Sequence, residues 1–380
     1  MDRPTALDVI ETPFSAAEPD EHAPGGTPGR RRGPSPRRVF LVVAFLLTLV
    51  LIALVIYLLW FLGRPAPLGP TVSQQGIEAI WQSFGPGTSA RPLFSRPMGV
   101  AVGSGDRIYV TDAENDRVCV FDVSGRFLFE FGERGVAKPA PGVAATYEPG
   151  RLNYPVGIDA DRDGNVYVAS LYNDSIEVYD PEGTPLRRFP DPLAITGRGG
   201  SGYGGLGIAV TDVAVHKDRV YATDTYQILV FNRRGDLIDQ WGRPGSDPGG
   251  LDHPNGLAVG ADGTVYVSDT NHGRVTAFSP EGQVRWQVGE IPVGLQDESE
   301  RQLVLPRGLA VLPDGSVLVV DAFGFELVRI SADGEVLNRY GQRGVQPAEF
   351  NFSNDVEAVR SLVILADKEN GRIQMLRLLD

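Results

Sequence analysis

Six times between Pro97 and Leu378 the chain repeats nearly the same unit: a Pro-x-Gly start, a β-rich run ending in Asp, an Asn/Arg turn, and another hydrophobic run. The fourth copy is the cleanest, with Pro254, Gly256, Asp262-Gly263, Val265-Tyr266-Val267-Ser268-Asp269, Asn271, Arg274-Val275, Phe278, Gly282, Trp286 and Gly289. A unit of this size cannot bury its own apolar face, so self-similarity at this period restricts the fold to a propeller or solenoid. The other copies start at Pro97, Pro155, Asp212, Pro306 and Asp355, the last being the most divergent.

Each unit holds four short β runs separated by turn chemistry. Asp-Gly at 163/164, 262/263, 314/315 and 333/334 supplies tight turns, because Gly tolerates positive φ and Asp bonds its own backbone. The runs read Val-Tyr-Val or Val-Leu-Val-Val without clean alternation, as strands buried on both faces do. Four-stranded sheets packed radially have that property, which predicts an all-β, six-bladed β-propeller. The sixth unit stops after its third strand. The segment IEAIWQSFG, Ile77 to Gly85, matches the fourth strands DLIDQWG and EVLNRYG, so it is predicted to close the last blade and remove an exposed edge.

The Pro-x-Gly start, the V-Y-V-x-D strand end and the Asn/His/Arg turn resemble the NHL repeat family, over about residues 76–380. Ser170 departs from the strand-end Asp, the third unit is two residues short between Asp224 and Ile228, and Phe323-Gly324-Phe325 replaces the polar turn. The resemblance implies an NHL-type propeller. It also implies two kinds of activity. Sensor propellers of some membrane-bound kinases read ligands through exposed rim positions, whereas amidating lyases and related lactonases use metal sites.

Ahead of the propeller, Val39 to Gly63 carries no charge and Thr48 as its one polar side chain. As a helix these 25 residues span about 37 Å, which predicts a transmembrane helix. Arg30, Arg31, Arg32, Arg37 and Arg38 precede it and only Arg64 follows closely, so the N-terminus is expected in the cytoplasm and the propeller outside the cell membrane, in a single pass. Residues 1–38 lack periodic apolar positions and read as a disordered cytoplasmic tail, and 64–75 as a Pro-rich linker. Residues 64–380 hold 29 of the 35 basic and 42 of the 48 acidic residues, so the net charge of −13 belongs to the propeller side and disfavours nucleic acid as a partner. Cys119, the sole cysteine, reads as a buried thiol; Asn173 and Asn351 begin N-x-S sequons.

Three inter-blade connections are long, Glu133 to Asn153, Pro190 to Ile208 and Glu290 to Leu305, and all fall on one rim. Insertions gathered on one face of a repeat protein mark a binding face. The second carries Arg198 and Tyr203 as partner contacts; its GRGGSG string lacks the strand-to-helix setting of a nucleotide loop. The positions just before each opening Gly or Asp, Met98, Val156, Asn255, Arg307 and Asn354, vary on a constant frame and complete a candidate rim. The expected function is a membrane-anchored binding, scaffold or sensor module for a protein, peptide or glycan, with no cofactor. The alternative is a metal-dependent lyase or hydrolase, lactonase-like or amidating-lyase-like, at the channel mouth. Asp159, Glu357, His253 and His272 are its candidate ligands for Ca²⁺ or Zn²⁺. Asp212 and Asp355 replace the opening Gly and are expected to turn the chain.

Overall fold

Valine, isoleucine and tyrosine fill the second and third runs of each unit, and those runs are the most deeply buried strands of the molecule. Ile108–Asp112, Val166–Ser170, Val265–Asp269 and Val317–Asp321 are buried along their whole length, whereas the fourth strand Leu237–Trp241 is mostly exposed. The structure, a computed structural model, describes residues 35–62, 73–74, 76–87, 93–135, 149–190, 209–289 and 302–379. The predicted tail and linker lie outside those residues apart from 35–38 and the short strand Ser73–Gln74.

Six antiparallel sheets form the blades of a propeller. Blade 1 runs Pro97–Val102, Ile108–Asp112, Arg117–Phe121 and Phe127–Phe131 from the innermost strand outward. Blades 2 to 5 repeat that order from innermost strands Pro155–Ala160, Val213–His216, Pro254–Val259 and Pro306–Val311. Blade 6 takes Asp355–Val359, Leu362–Asp367 and Arg372–Leu378 from the C-terminal end, and Ile77–Ser83 from the other end. The register runs from Ile77 opposite Leu378 to Ser83 opposite Ile373.

The core is six wedges between neighbouring blades. Six buried apolar clusters are seen among the described residues, one for each junction, and Trp81, Met375 and Phe121 belong to the wedge that joins blade 6 to blade 1. Two positions of the repeat follow from this packing. A Cβ on Gly157 would sit 2.5 Å from the Cα of Asp212, and one on Gly308 2.6 Å from the Cα of Asp355, so the opening Gly lets neighbouring innermost strands approach. Gly282 has a φ of +81° and lies on the Trp241 ring of the preceding blade, 2.4 Å from where its Cβ would be, so both backbone and neighbour require glycine there.

The strand-end Asp is an anchor for the turn that follows and for the loop that precedes it. Buried Asp269 accepts the Asp252 N–H at 2.8 Å and Arg274 Nε at 2.9 Å, and the Arg274 guanidinium continues to the Ser246 and Gly250 carbonyls. Asp367 repeats this with Asn351, Asn370 and Arg372, and Asp112 with Ser95, Asn115 and Arg117. Ser170 takes the backbone share of the task, its Oγ accepting the Asn153 N–H at 2.9 Å. The shortened third unit is a two-residue hairpin, with Asp224 opposite Gln227.

Pro36–Leu62 is a 27-residue α-helix with proline in its first turn, where no N–H is missed. Its segment Phe40–Leu58 has a mean hydropathy of 3.2 and buries none of its surface, so it is long and apolar enough to cross a membrane. Thr48 satisfies its hydroxyl internally on the Ala44 carbonyl at 2.9 Å.

Candidate binding mouth of the propeller

Because each second strand ends where the innermost strand of its blade begins, the starts of the innermost strands and the turns after the second strands share one rim. A cavity of about 440 Å³ opens there. Met98, Val156, Asn255, Arg307 and Asn354 all line it, together with Tyr154 and His253. They are not all surface contacts, as the variable rim positions were expected to be: Met98, Val156 and Asn354 are 8%, 4% and 9% exposed and form the cavity wall. The six innermost strands converge around a narrow axis, and a side chain just ahead of the opening Gly is enclosed by its neighbours. Arg198, Tyr203 and most of the three long connections lie outside the described residues.

The wall is held by bonds from one blade to the next. Thr111 Oγ1 donates to the Val156 carbonyl at 2.7 Å, Thr211 to Pro254 at 2.8 Å, and Thr270 to Pro306 at 2.8 Å. Asn354 Nδ2 donates to the Met98 carbonyl at 3.0 Å, which leaves its Oδ1 buried without a partner. Arg307 stands apart. Among the described residues its Nε is buried with no hydrogen-bond partner, its guanidinium lies 5.8 Å from the centre of the Phe352 ring, and burial pulls its pKa below the ordinary arginine value. Arginine remains charged through shifts of this kind.

Aromatic rings stand on the same rim. Tyr154 packs against Tyr172 at 5.2 Å, Tyr226 meets the His253 ring edge-on at 5.7 Å, and Phe323 meets Phe352 edge-on at 4.8 Å. Tyr172, Tyr226 and Phe323 remain 38%, 38% and 52% exposed. Sequence reasoning missed this collar, although a signal was present. All three occupy the second position after the strand end, where other units have Glu114, Asn271 and Glu369.

The candidate metal ligands are divided between the two mouths. His253 Nδ1 is 2.5 Å from Asp252 Oδ1 and His272 Nδ1 is 2.8 Å from Asp269 Oδ2, so each imidazole is engaged by its own carboxylate. Asp159 and Glu357 line a second cavity of about 210 Å³, walled by the middles and ends of the innermost strands, along with Asp212 and Asp355. No group of three or more His, Cys, Asp or Glu residues is placed to hold a metal ion among the described residues.

These four carboxylates act on the backbone. Asp159 accepts the Val215 N–H at 2.6 Å, Asp212 that of Leu257 at 2.7 Å and Asp355 that of Val100 at 2.9 Å, in each case from the next blade. Asp212 and Asp355 are therefore clasps between innermost strands rather than chain-turning residues. Glu357 accepts its neighbour's Ala358 N–H at 2.7 Å. Burial, reinforced by mutual repulsion, raises Asp159 to about 6 and Asp212 and Glu357 to about 8, and holds Asp355 well above the usual range. Asn173 is also reassigned: it is buried and donates to the Arg151 carbonyl, so this sequon offers no free amide on the folded surface.

The fold and its two mouths define a six-bladed β-propeller. The NHL repeat model matches residues 94–121 and 251–278, within blades 1 and 4. Two fly proteins, from Drosophila melanogaster, share part of the chain. Protein brain tumor is 26% identical over 196 residues, 52% of this chain and 12% of that protein. Peptidyl-alpha-hydroxyglycine alpha-amidating lyase 1 is 29% identical over 132 residues, 32% of this chain and 24% of the lyase. The chain thus spans less than a quarter of either relative's length. Among solved structures, a protein of unknown function from Bacteroides thetaiotaomicron superposes with a TM-score of 0.56 at 20% identity, over 80% of this chain and 76% of that one, a likeness of fold alone.

Proposed function

We propose that this chain is a membrane-anchored propeller that recognises a protein, peptide or glycan partner at its loop-rich rim. The observation that carries the reading is the mouth itself: a cavity of about 440 Å³ lined by all five described rim positions, with exposed Tyr172, Tyr226 and Phe323 on the same rim. Exposed aromatics around a concave, rigidly framed site are what recognition surfaces use. The helix supports an anchor by its length and apolarity, and the arginines before it favour a cytoplasmic N-terminus with the propeller outside. A photo-crosslinking amino acid at Tyr172, Tyr226 or Phe323, with Ile238 on an outer strand as control, tests the reading in intact cells. Adducts are expected at the three rim positions and not at 238; equal yields at all four would defeat it.

Relatedness to an amidating lyase favours a second reading, metal-dependent lyase or hydrolase chemistry at a channel mouth. Zinc chemistry needs three or more ligands with an open position. The described residues do not provide that set: no three His, Cys, Asp or Glu side chains converge, and the inner carboxylates hold backbone N–H groups. The described residues do not fit the ion, and no catalytic step is derived through it.

A further inference from the structure

We infer that the mouth holds a small organic carboxylate, with Arg307 as its anchor; this deepens the binding reading and rests on it. Three cationic side chains gather near this part of the rim, and their charge balance differs. Arg96 pairs with Glu114 at 3.3 Å and lies 3.9 Å from Glu369, and Lys368 pairs with Glu369 at 3.3 Å. Among the described residues Arg307 has neither an ion pair nor a hydrogen-bond partner for its buried Nε, and the charge that acts on it nearby, on Lys368, is of its own sign. A partly buried guanidinium with no counter-ion leaves a charge unmet, so a site that retains one is suited to receive an anion. One uncompensated cation matches a monoanion, which favours a carboxylate over a phosphate dianion. A planar guanidinium also presents the fork that fits a carboxylate.

The rest of the cavity describes the body of the ligand. Met98, Val156, Leu171 and Leu305 supply apolar wall, and Tyr154 supplies a ring. A volume of about 440 Å³ admits an aromatic acid or the last one or two residues of a peptide. Both sources present the same chemistry, an oxyanion at the end of an apolar group.

Calorimetric titration of the full chain in detergent distinguishes them. The probes are phenylacetate and its amide, and the peptide acetyl-Gly-Ala-Leu-Phe with either a free or an amidated C-terminus. The acids are expected to bind at least about ten-fold more tightly than the amides. R307Q should abolish that difference and R307K should keep part of it, while R285Q, whose side chain pairs with Asp262, should change nothing. R307Q is expected to fold, because among the described residues the Arg307 Nε makes no hydrogen bond that its loss would break. Whichever acid binds more tightly identifies the source, a free small acid or a chain terminus. Acid and amide binding alike, with loss in N255A, would overturn the carboxylate assignment and leave the mouth a binding site. Acid binding unchanged in R307Q, or no binding of any probe, would overturn the inference, and the crosslinking pattern would then decide the broader reading separately.

Discussion

At the scale of single residues, the repeat is a set of charge and hydrogen-bond accounts that must close inside each blade. Asp112, Asp269 and Asp367 stand opposite Arg117, Arg274 and Arg372 across the second and third strands, whereas blade 2 has Ser170 opposite Ser175. Blade 2 lacks both partners, while Asp224 and Asp321 of blades 3 and 5 stand opposite Gln227 and Glu326. Asp269→Ala should therefore destabilise the protein by about 3–5 kcal/mol, because Arg274 would remain 99% buried without its counter-ion. Restoring the repeat's own residue alone should also harm: Ser170→Asp buries an unpaired charge near Glu177, and adding Ser175→Arg should recover the loss, both read as urea midpoints. The inner carboxylates make a second account, with pH as its variable. Glu357 and Asp212 have folded pKa values raised to about 8 from ordinary values of 4.5 and 3.8. The native state then binds protons more readily than the unfolded chain, so their stabilising share is present below about pH 4 and is lost as pH rises to about 8. The propeller should melt several degrees lower at pH 8.5 than at pH 5, and Glu357→Gln should flatten that slope. Asp262 and Asp314, both lowered to about 2, act in the opposite sense and in another window, losing their contribution below about pH 4. A melting temperature that rises between pH 5 and 8.5 would contradict the assignment.

At the scale of elements, a propeller blade is stable only when both of its edges and both of its faces are covered, and blade 6 depends on Ile77–Ser83 for one edge. Trp81 is 6% exposed, belongs to the wedge with blade 1 and donates its Nε1–H to the Val123 carbonyl at 3.0 Å. Truncating it to Ala should cost about 3–5 kcal/mol. Deleting 76–85 should give aggregated or unfolded protein by size-exclusion chromatography, since the edge of Arg372–Leu378 would be unpaired. An unchanged melting temperature after the deletion would mean the ring does not need this strand. The same strand indicates what was legible in advance. Strand runs, turns and the fourth-strand likeness of IEAIWQSFG could be read because they follow local propensity and repetition. The candidate site was legible only in part. The five variable positions were visible as breaks in a constant frame, but their burial depends on how six strands crowd an axis, which no single unit encodes. The clasping role of Asp212 and Asp355 was hidden for a similar reason: each acts on the N–H of the next blade, 45 residues ahead in one case and 255 residues back, across the ring closure, in the other.

At the scale of the whole molecule, an apolar helix and an acidic propeller place different demands on their surroundings. A helix whose side chains are exposed and apolar on every face, as Phe40, Leu46, Val50 and Ile56 are, has no buried seam with which to pack as an ordinary amphipathic helix does. A bilayer would satisfy it. A propeller side with 42 acidic and 29 basic residues is repelled by anionic lipid headgroups. Both demands are met if the arginines before the helix stay in the cytoplasm and the propeller is exported. The lone Cys119 is buried, which makes the chain convenient for a labelling test. A cysteine introduced at exposed Leu337 or Val345 should react with a membrane-impermeant maleimide on intact cells, whereas the unaltered chain should remain unlabelled until it is unfolded. Removing the charge of Arg30, Arg31, Arg32, Arg37 and Arg38 together should lower that labelling by allowing inverted insertion. Labelling seen only after cell lysis would place the propeller in the cytoplasm and send the search for its partner there; release of the protein by alkaline carbonate would remove the anchor itself.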